Sequence, residues 1–166
     1  AEDNRLFELR LDSEALNGQI PLSIGNLDSL KILHIQGNQL TGIIPETIGN
    51  LTALQEIKLN SNNLTGKIPL NITNLKNLLL LRLDVNNLSG DIPIDIGELG
   101  KLEEIQFQDN TLTGSIPESI GDLSNLERLY LRDNQLSGEI PSKIVQLINL
   151  TILDLGGNQL TSIPSE

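Results

Sequence analysis

Hydrophobic and polar residues follow one pattern that recurs every 24 residues along the chain. Each unit begins with a leucine, and further apolar residues follow three and five places later, as at Leu30, Leu33 and Ile35. This alternation predicts a short β-strand with one buried face. Six full units begin at Leu6, Leu30, Leu54, Leu78, Leu102 and Leu126, and a truncated seventh begins at Leu150. A fixed repeat predicts a stack of coils, because neighbouring coils bury leucines that a single coil leaves exposed.

The second half of each unit predicts a turn and a return segment, as in residues 38–51, which read NQLTGIIPETIGNL. Asn38 offers N–H donors and an acceptor to backbone groups that an inward turn leaves unpaired. Gly42 tolerates backbone angles that a Cβ forbids, and Pro45 fixes φ. The first unit has Glu14 at the asparagine position, and the others have Asn38, Asn62, Asn86, Asn110, Asn134 and Asn158. We therefore predict an internal ladder of asparagines.

The composition restricts the class of protein. The 166 residues are predicted to form one domain spanning 1–166. Acidic residues outnumber basic ones by 22 to 11, and the net charge of -11 argues against nucleic acid or an anionic membrane as a partner. No apolar run reaches the roughly 20 residues of a membrane helix. Without cysteine, the chain has no disulfides or thiolate metal sites, and its redox compartment stays open.

The consensus NLxxLxxLxLxxNxLTGxIPxxIG resembles the plant-specific class of leucine-rich repeat over residues 6–164. The resemblance implies an α/β solenoid: a right-handed superhelix with a parallel concave β-sheet, short second strands and 3₁₀ turns on the convex side. Members of the class, such as receptor-kinase ectodomains and polygalacturonase inhibitors, recognise proteins, peptides or polysaccharides. The cysteine-paired caps that usually close such ectodomains are absent from this sequence.

The predicted concave face carries the candidate binding residues. Counting the first leucine of a unit as one, places three, five, seven and eight point away from the core. Arginine and tyrosine are enriched at interface hot spots, and the fifth place is basic or histidine in the first four units. We predict partner binding by Arg10, His34, Lys58, Leu80, Arg82, Val85, Arg128, Tyr130 and Arg132. The alternative is that Glu8, Glu56 and Glu104 neutralise these bases in surface pairs.

The sequence predicts no enzyme, no cofactor and no metal site. His34, the single histidine, is expected to be exposed on the strand face. Adjacent acids such as Glu103 and Glu104 are expected to be solvated, and no serine lies in a nucleophile motif. The predicted function is therefore a non-catalytic recognition module that binds a protein or peptide through its concave face.

Two other functions stay open at this point. Glycan binding or glycosidase inhibition is disfavoured because the strand face offers only Tyr130 and Phe7 for stacking. Ice binding is suggested by a hydroxyl column at the coil spacing, formed by Thr41, Thr65, Ser89, Thr113 and Ser137.

Location and assembly are further expectations. N-glycosylation sequons begin at Asn50, Asn63, Asn71, Asn87 and Asn149, which favours an extracellular or cell-surface location without excluding an intracellular one. Uncapped terminal coils would expose strand edges and leucines, which predicts end-to-end self-association.

Overall fold

The computed structural model describes residues 5–164, which form a solenoid with one coil for each 24-residue unit. A seven-stranded parallel sheet lines one side, with strands paired in sequence order as predicted. Its strands are β1 (Glu8–Arg10), β3 (Ile32–His34), β5 (Glu56–Lys58), β7 (Leu80–Arg82), β9 (Glu104–Gln106), β11 (Arg128–Tyr130) and β13 (Ile152–Asp154). The register is constant: Leu33 pairs with Ile57, and Ile57 pairs with Leu81. All three side chains are fully buried, so the stack forms one continuous core.

A second, interrupted set of short parallel strands follows the turn of each coil, as the repeat predicted. These are β2 (Asn17–Gln19), β4 (Gln39–Thr41), β6 (Thr65–Gly66), β8 (Asn87–Asp91), β10 (Thr111–Thr113), β12 (Ser137–Glu139) and β14 (Gln159–Ser162). Gly42 has a φ of 75°, a left-handed conformation that a glycine adopts without the steric cost of a side chain.

Short 3₁₀ helices form the convex side between the two sets of strands. Their bounds are η1 (Leu22–Asn26), η2 (Glu46–Asn50), η3 (Leu70–Asn74), η4 (Ile96–Glu98), η5 (Glu118–Asp122) and η6 (Ser142–Gln146). Pro45 immediately precedes η2 with a φ of -69°, which is the value that its ring imposes. Ile48 on η2 and Leu51 after it are fully buried, as expected for the return segment.

The predicted asparagine ladder is confirmed. Asn62 Nδ2 donates to the carbonyl oxygens of Ile35 and Leu59, each at 3.0 Å, and its Oδ1 accepts from Leu40 N at 3.1 Å. Each bond set joins the asparagine's own coil to the preceding coil. The same pattern repeats at Asn38, Asn86, Asn110, Asn134 and Asn158. The ladder therefore satisfies backbone groups that the strand-to-turn transition leaves without partners.

Glycines allow the 3₁₀ helices to stack closely. A Cβ on Gly49 would lie 2.4 Å from the backbone oxygen of Asn71 in the next coil, and Gly25, Gly97 and Gly121 face comparable contacts. The third coil has Thr73 at this place instead. The helix that follows Thr73 is η4, which has 3 residues, whereas the helices stacked on the glycines have 5.

Apolar side chains are exposed at both ends of the described solenoid. Leu6 and Phe7 are 43% and 40% exposed in the first coil, and Ile152 and Leu153 are 41% and 42% exposed on β13. End-to-end self-association stays a prediction. Within residues 5–164, no helix has the length and apolar character that crossing a membrane requires.

Candidate recognition surface

The parallel register brings the predicted fifth-place residues into one row across the sheet. Arg10 aligns with His34, His34 with Lys58, and Lys58 with Arg82. Adjacent strands lie about 4.8 Å apart, so long side chains in this row contact those of the next coil. The row is therefore a set of interacting side chains in which each residue's exposure depends on its neighbours.

The prediction that His34 is exposed was wrong. Its exposed fraction is 2%, because side chains from the coils on either side cover it. Arg10 Nη1 lies 2.7 Å from His34 Nδ1, and His34 Nε2 lies 2.9 Å from Glu56 Oε2. Since arginine is always a donor, Nδ1 accepts and Nε2–H donates to the carboxylate. Burial and the positive charge of Lys58 lower the pKa of His34, which favours this neutral tautomer.

Glu104 was expected to be solvated, but it is only 3% exposed and forms the centre of an ion triad. Its Oε1 lies 2.7 Å from Arg82 Nη2, and its Oε2 lies 2.5 Å from Arg128 Nε. Burial alone would raise the pKa of Glu104, but the hydrogen bonds from the two arginines outweigh burial and lower it. The triad links strands β7, β9 and β11. The predicted neutralisation of basic residues by glutamates is thus present here.

The other predicted site residues occupy different environments. Arg10 also pairs with Glu8 at 3.0 Å, and Arg132 pairs with Asp133 at 3.1 Å. Lys58 is half-buried, as are Leu80 and Tyr130, although Leu80 was expected to be exposed. Val85 is 47% exposed and has a φ of 52°, a strained value for a β-branched residue.

A column of unpaired oxygen acceptors runs along the seventh place of the repeat. Within residues 5–164, the buried side-chain oxygens without a hydrogen-bond partner are Asp12 Oδ1, Asn60 Oδ1, Asp84 Oδ1 and Gln108 Oε1. We call these four residues the acceptor column. Sequence reasoning placed the seventh-place side chains on the concave face but did not predict that Asp84 is buried or that the other three, which are half-buried, each have one oxygen shielded from solvent. The sequence signal that could have drawn attention to these four residues is that all of them occupy the seventh place of the repeat.

Asp84 is the most unusual member of this column. It is 7% exposed, and burial raises its pKa from 3.8 to about 6. A hydrogen bond from the backbone and the positive charge of Arg82 oppose this shift, whereas Asp109 and Glu104 add to it. The guanidinium of Arg82 is already bonded to Glu104, so no cation within the described chain forms an ion pair with Asp84. The carboxylate is therefore buried with a backbone hydrogen bond but without an ion-pair partner among the described residues.

Replacing Asp84 by asparagine is expected to stabilise the fold at neutral pH. A raised folded-state pKa means that the charged form opposes folding: the penalty is absent below about pH 4, grows up to pH 6 and is complete above it. The gain from Asp84→Asn at pH 7.5 is at most about 3 kcal/mol and should vanish near pH 3.5. Urea denaturation at both values measures it, with exposed Asp95→Asn as the control; a gain independent of pH would contradict the assignment.

The hydroxyl column lies on the second set of strands. Thr41 Oγ1 donates to Gly18 O at 3.1 Å, and Thr65 Oγ1 donates to Gly42 O at 3.3 Å. Both threonines are exposed. These two hydroxyl groups are therefore held by bonds to the preceding coil; Ser137 Oγ donates to Gly114 O in the same way at 3.4 Å, whereas Thr113 Oγ1 donates to Asp91 Oδ1 at 3.2 Å. In the described part of the chain, no three acidic or histidine side chains form a group able to hold a metal ion.

Comparison with family models identifies the repeat. A leucine-rich repeat model matches residues 4–64 and 28–88, a two-copy model matches 124–165, and a single-repeat model matches 101–123. The chain therefore belongs to the leucine-rich repeat family. No match was found among curated proteins.

Solved structures of plant proteins share the fold. The Arabidopsis receptor kinase HAESA, solved with the peptide hormone IDA and the co-receptor SERK1, is 38% identical over 95% of this chain, with a TM-score of 0.92. The ectodomain of the Arabidopsis thaliana receptor kinase SOBIR1 is 34% identical, with a TM-score of 0.75; the match covers 81% of this chain and 75% of that one. A plant ice-binding protein is 32% identical, with a TM-score of 0.82; the match covers 96% of this chain and 59% of that one.

Several of the matched receptor chains are much longer than this chain. The chain spans 26% of the HAESA chain and 22–28% of the matched chains in three other solved structures. It corresponds to several coils of those longer solenoids.

Proposed function

We propose that the chain is a non-catalytic recognition module that binds a protein or peptide through its concave sheet. The observation that carries this proposal is the triad of Arg82, Glu104 and Arg128, with Tyr130 on the same strand as Arg128. Buried Glu104 already holds both guanidinium groups in place. The two arginine side chains therefore lose less conformational entropy when a ligand binds. The arginine side chains remain 32% and 36% exposed. Each guanidinium has five N–H donors, so several remain for a ligand.

The resemblance to receptor ectodomains supports the same class of ligand and an extracellular location. HAESA was solved with the peptide hormone IDA, and another matched protein, RGFR1, is a plant peptide hormone receptor solved with RGF2. The asparagines of the five sequons are all exposed, as a glycosylation acceptor must be: Asn50, Asn63, Asn71, Asn87 and Asn149. We propose an extracellular or cell-surface location on these grounds.

Substitutions in the concave sheet are expected to weaken partner binding. A partner is first captured from the native source with the purified domain and identified by mass spectrometry. Arg82→Ala and Tyr130→Ala should each then reduce its affinity by more than about 1 kcal/mol in calorimetric titration, because arginine and tyrosine dominate interface energies. Lys76→Ala is the control, since Lys76 is exposed outside the sheet and pairs with Glu98. Unchanged affinity in both test variants would mean that the binding site lies on another face of the solenoid.

Ice binding through the hydroxyl column is a second candidate, supported by the similarity to a plant ice-binding protein. If it is correct, the purified chain should show thermal hysteresis. Thr65→Tyr should remove most of that activity by interrupting the array, whereas Thr52→Tyr, at an exposed position outside the column, should leave it intact. Absence of hysteresis would exclude this function. Glycan binding also stays a prediction; Phe7 contacts Lys31, whose Nζ lies 5.5 Å from the ring centroid.

A further inference from the structure

We propose that a groove on the flank of the solenoid docks a segment of a partner protein that carries large apolar side chains between basic ones. This flank groove lies between the second set of strands and the 3₁₀ helices. Among the described residues that line it, none belongs to the concave site of the proposed function. The inference is therefore independent of that proposal and concerns a second surface of the same chain.

The flank groove consists of two adjoining hollows with volumes of about 800 and 370 Å³. Asp91, Ile92 and Ile94 line both hollows, so the two are continuous. Successive coils supply the walls through the Ile-Pro segment that precedes each 3₁₀ helix, from residues 68–69 in the third coil to residues 140–141 in the sixth. A groove that crosses four coils suits an extended segment of chain.

Two large apolar side chains are exposed in the flank groove. Leu70 is 69% exposed and Ile94 is 71% exposed, and both occupy the seventeenth place of the repeat in neighbouring coils. The fold does not require an apolar residue there, because the same place holds Glu46 in the second coil and Glu118 in the fifth. Neighbouring exposed aliphatic side chains with polar surroundings are typical of a surface that contacts another protein.

Acidic side chains dominate the charge of the flank groove. Within residues 5–164, its lining has one basic residue, Lys67, and no cation forms an ion pair with any of its carboxylates. The four carboxylates, all exposed, belong to Glu46, Asp91, Glu118 and Glu139. Four acids against one base give the lining a formal net charge of -3. In the row of seventeenth places, an acid lies on either side of the apolar pair.

A partner segment with basic and apolar side chains complements this surface. Lysine and arginine place a charged head against a carboxylate while the methylene stem covers apolar surface. Opposite charges across an interface also speed association and suppress wrong partners. A second copy of this chain is disfavoured as the occupant, because its own groove has the same charge and the whole chain has a net charge of -11.

NMR titration of the methyl-labelled chain with short peptides tests the flank groove without a biological partner. The probe is acetyl-Arg-Leu-Pro-Leu-Arg-amide, whose central proline hinders aggregation into strands. One comparison peptide replaces both arginines by citrulline, and the other replaces both leucines by serine. We expect saturable shifts of the Leu70 and Ile94 methyl signals with the probe and at least about tenfold weaker binding of either comparison peptide. Binding of the probe should weaken as the salt concentration rises, because the carboxylates are exposed.

Two variants test whether the probe binds in the flank groove. Ile94→Ser should lower the affinity for the probe at least about tenfold, as reported by the Leu70 methyl signals. Serine fits this place in the sixth coil, where it is Ser142, so the variant should fold. The control is Val145→Ser, which should bind the probe unchanged, since Val145 is 77% exposed on η6 and lines neither hollow.

Several results would overturn the proposal. They are shifts that do not saturate, equal binding of either comparison peptide, and unchanged affinity of Ile94→Ser. Shifts that follow the concentration of the chain alone would show a second copy in the groove, and shifts of the Leu80 methyl signals instead would place the probe on the concave sheet. A positive titration stands even if no concave-face partner is found, so the two proposals can fail separately.

Discussion

Asn62→Ala is expected to destabilise the solenoid by about 4 kcal/mol. The substitution removes the donor to Ile35 O and Leu59 O and the acceptor for Leu40 N. Asn62 is 7% exposed, and water does not readily replace these bonds. Each buried backbone group left without a partner costs about 1–3 kcal/mol, and the missing side-chain volume adds a cavity. The effect should be large because one amide serves backbone groups of two coils.

The adjacent asparagine gives a matched control for this prediction. Asn63 is exposed, and Asn63→Ala should change the free energy of unfolding by no more than about 0.5 kcal/mol. Urea denaturation measures both variants, and hydrogen exchange should show faster exchange of the Leu40 amide in Asn62→Ala alone. Equal stability of the two variants would mean that the ladder contributes nothing beyond an ordinary surface amide.

Gly49→Ala is expected to cost about 3 kcal/mol or more, although it adds a single methyl group. The new Cβ would lie 2.4 Å from Asn71 O and 2.6 Å from Asn71 Cβ, so helix η3 must move away from η2. Backbone atoms held in a stack cannot yield as the end of a flexible side chain can, and overpacking of this kind destabilises a protein. Thr73 occupies the corresponding place in the third coil, and the helix that follows it, η4, has 3 residues instead of 5.

Gly100→Ala separates this steric effect from the general consequence of removing a glycine. A Cβ at Gly100 meets no atom within 4 Å, and the residue does not have a positive φ. The substitution should be neutral or stabilise the chain by up to about 1 kcal/mol through the unfolded state. Thermal unfolding of the two variants provides the comparison. A Gly49→Ala variant as stable as Gly100→Ala would show that the helices separate at little cost.

Features that every unit repeats could be predicted from the sequence. The ladder at Asn62, the positive φ of Gly42 and the buried Ile48 follow from the position of each residue within the 24-residue unit. A residue type that recurs at fixed spacing meets the same backbone environment in each coil. Local chemistry then determines its role, since a coil contacts only its neighbours.

Features that depend on which side chains meet between coils were not predicted. His34 is buried because Arg10 and Glu56 bond to it, and Glu104 is buried beneath Arg82 and Arg128. These combinations occur once each, so periodicity gives no information about them. The exposure of a strand-face residue is decided by the length and charge of residues 22 or 24 positions away. Which of these side chains contact each other can be seen only in the three-dimensional structure.

The change from glycine to Thr73 and the short helix η4 distinguish the junction between the third and fourth coils from the other junctions of the described chain. Helix η4 on one side of this junction has 3 residues, whereas η3 on the other side has 5. The sheet continues unbroken across the same junction through β5 and β7. Bending at this junction would change the distance between η3 and η4 on the convex side while strands β5 and β7 stay paired. A ligand that contacts the sheet on both sides of this junction would select one curvature of the solenoid from those available.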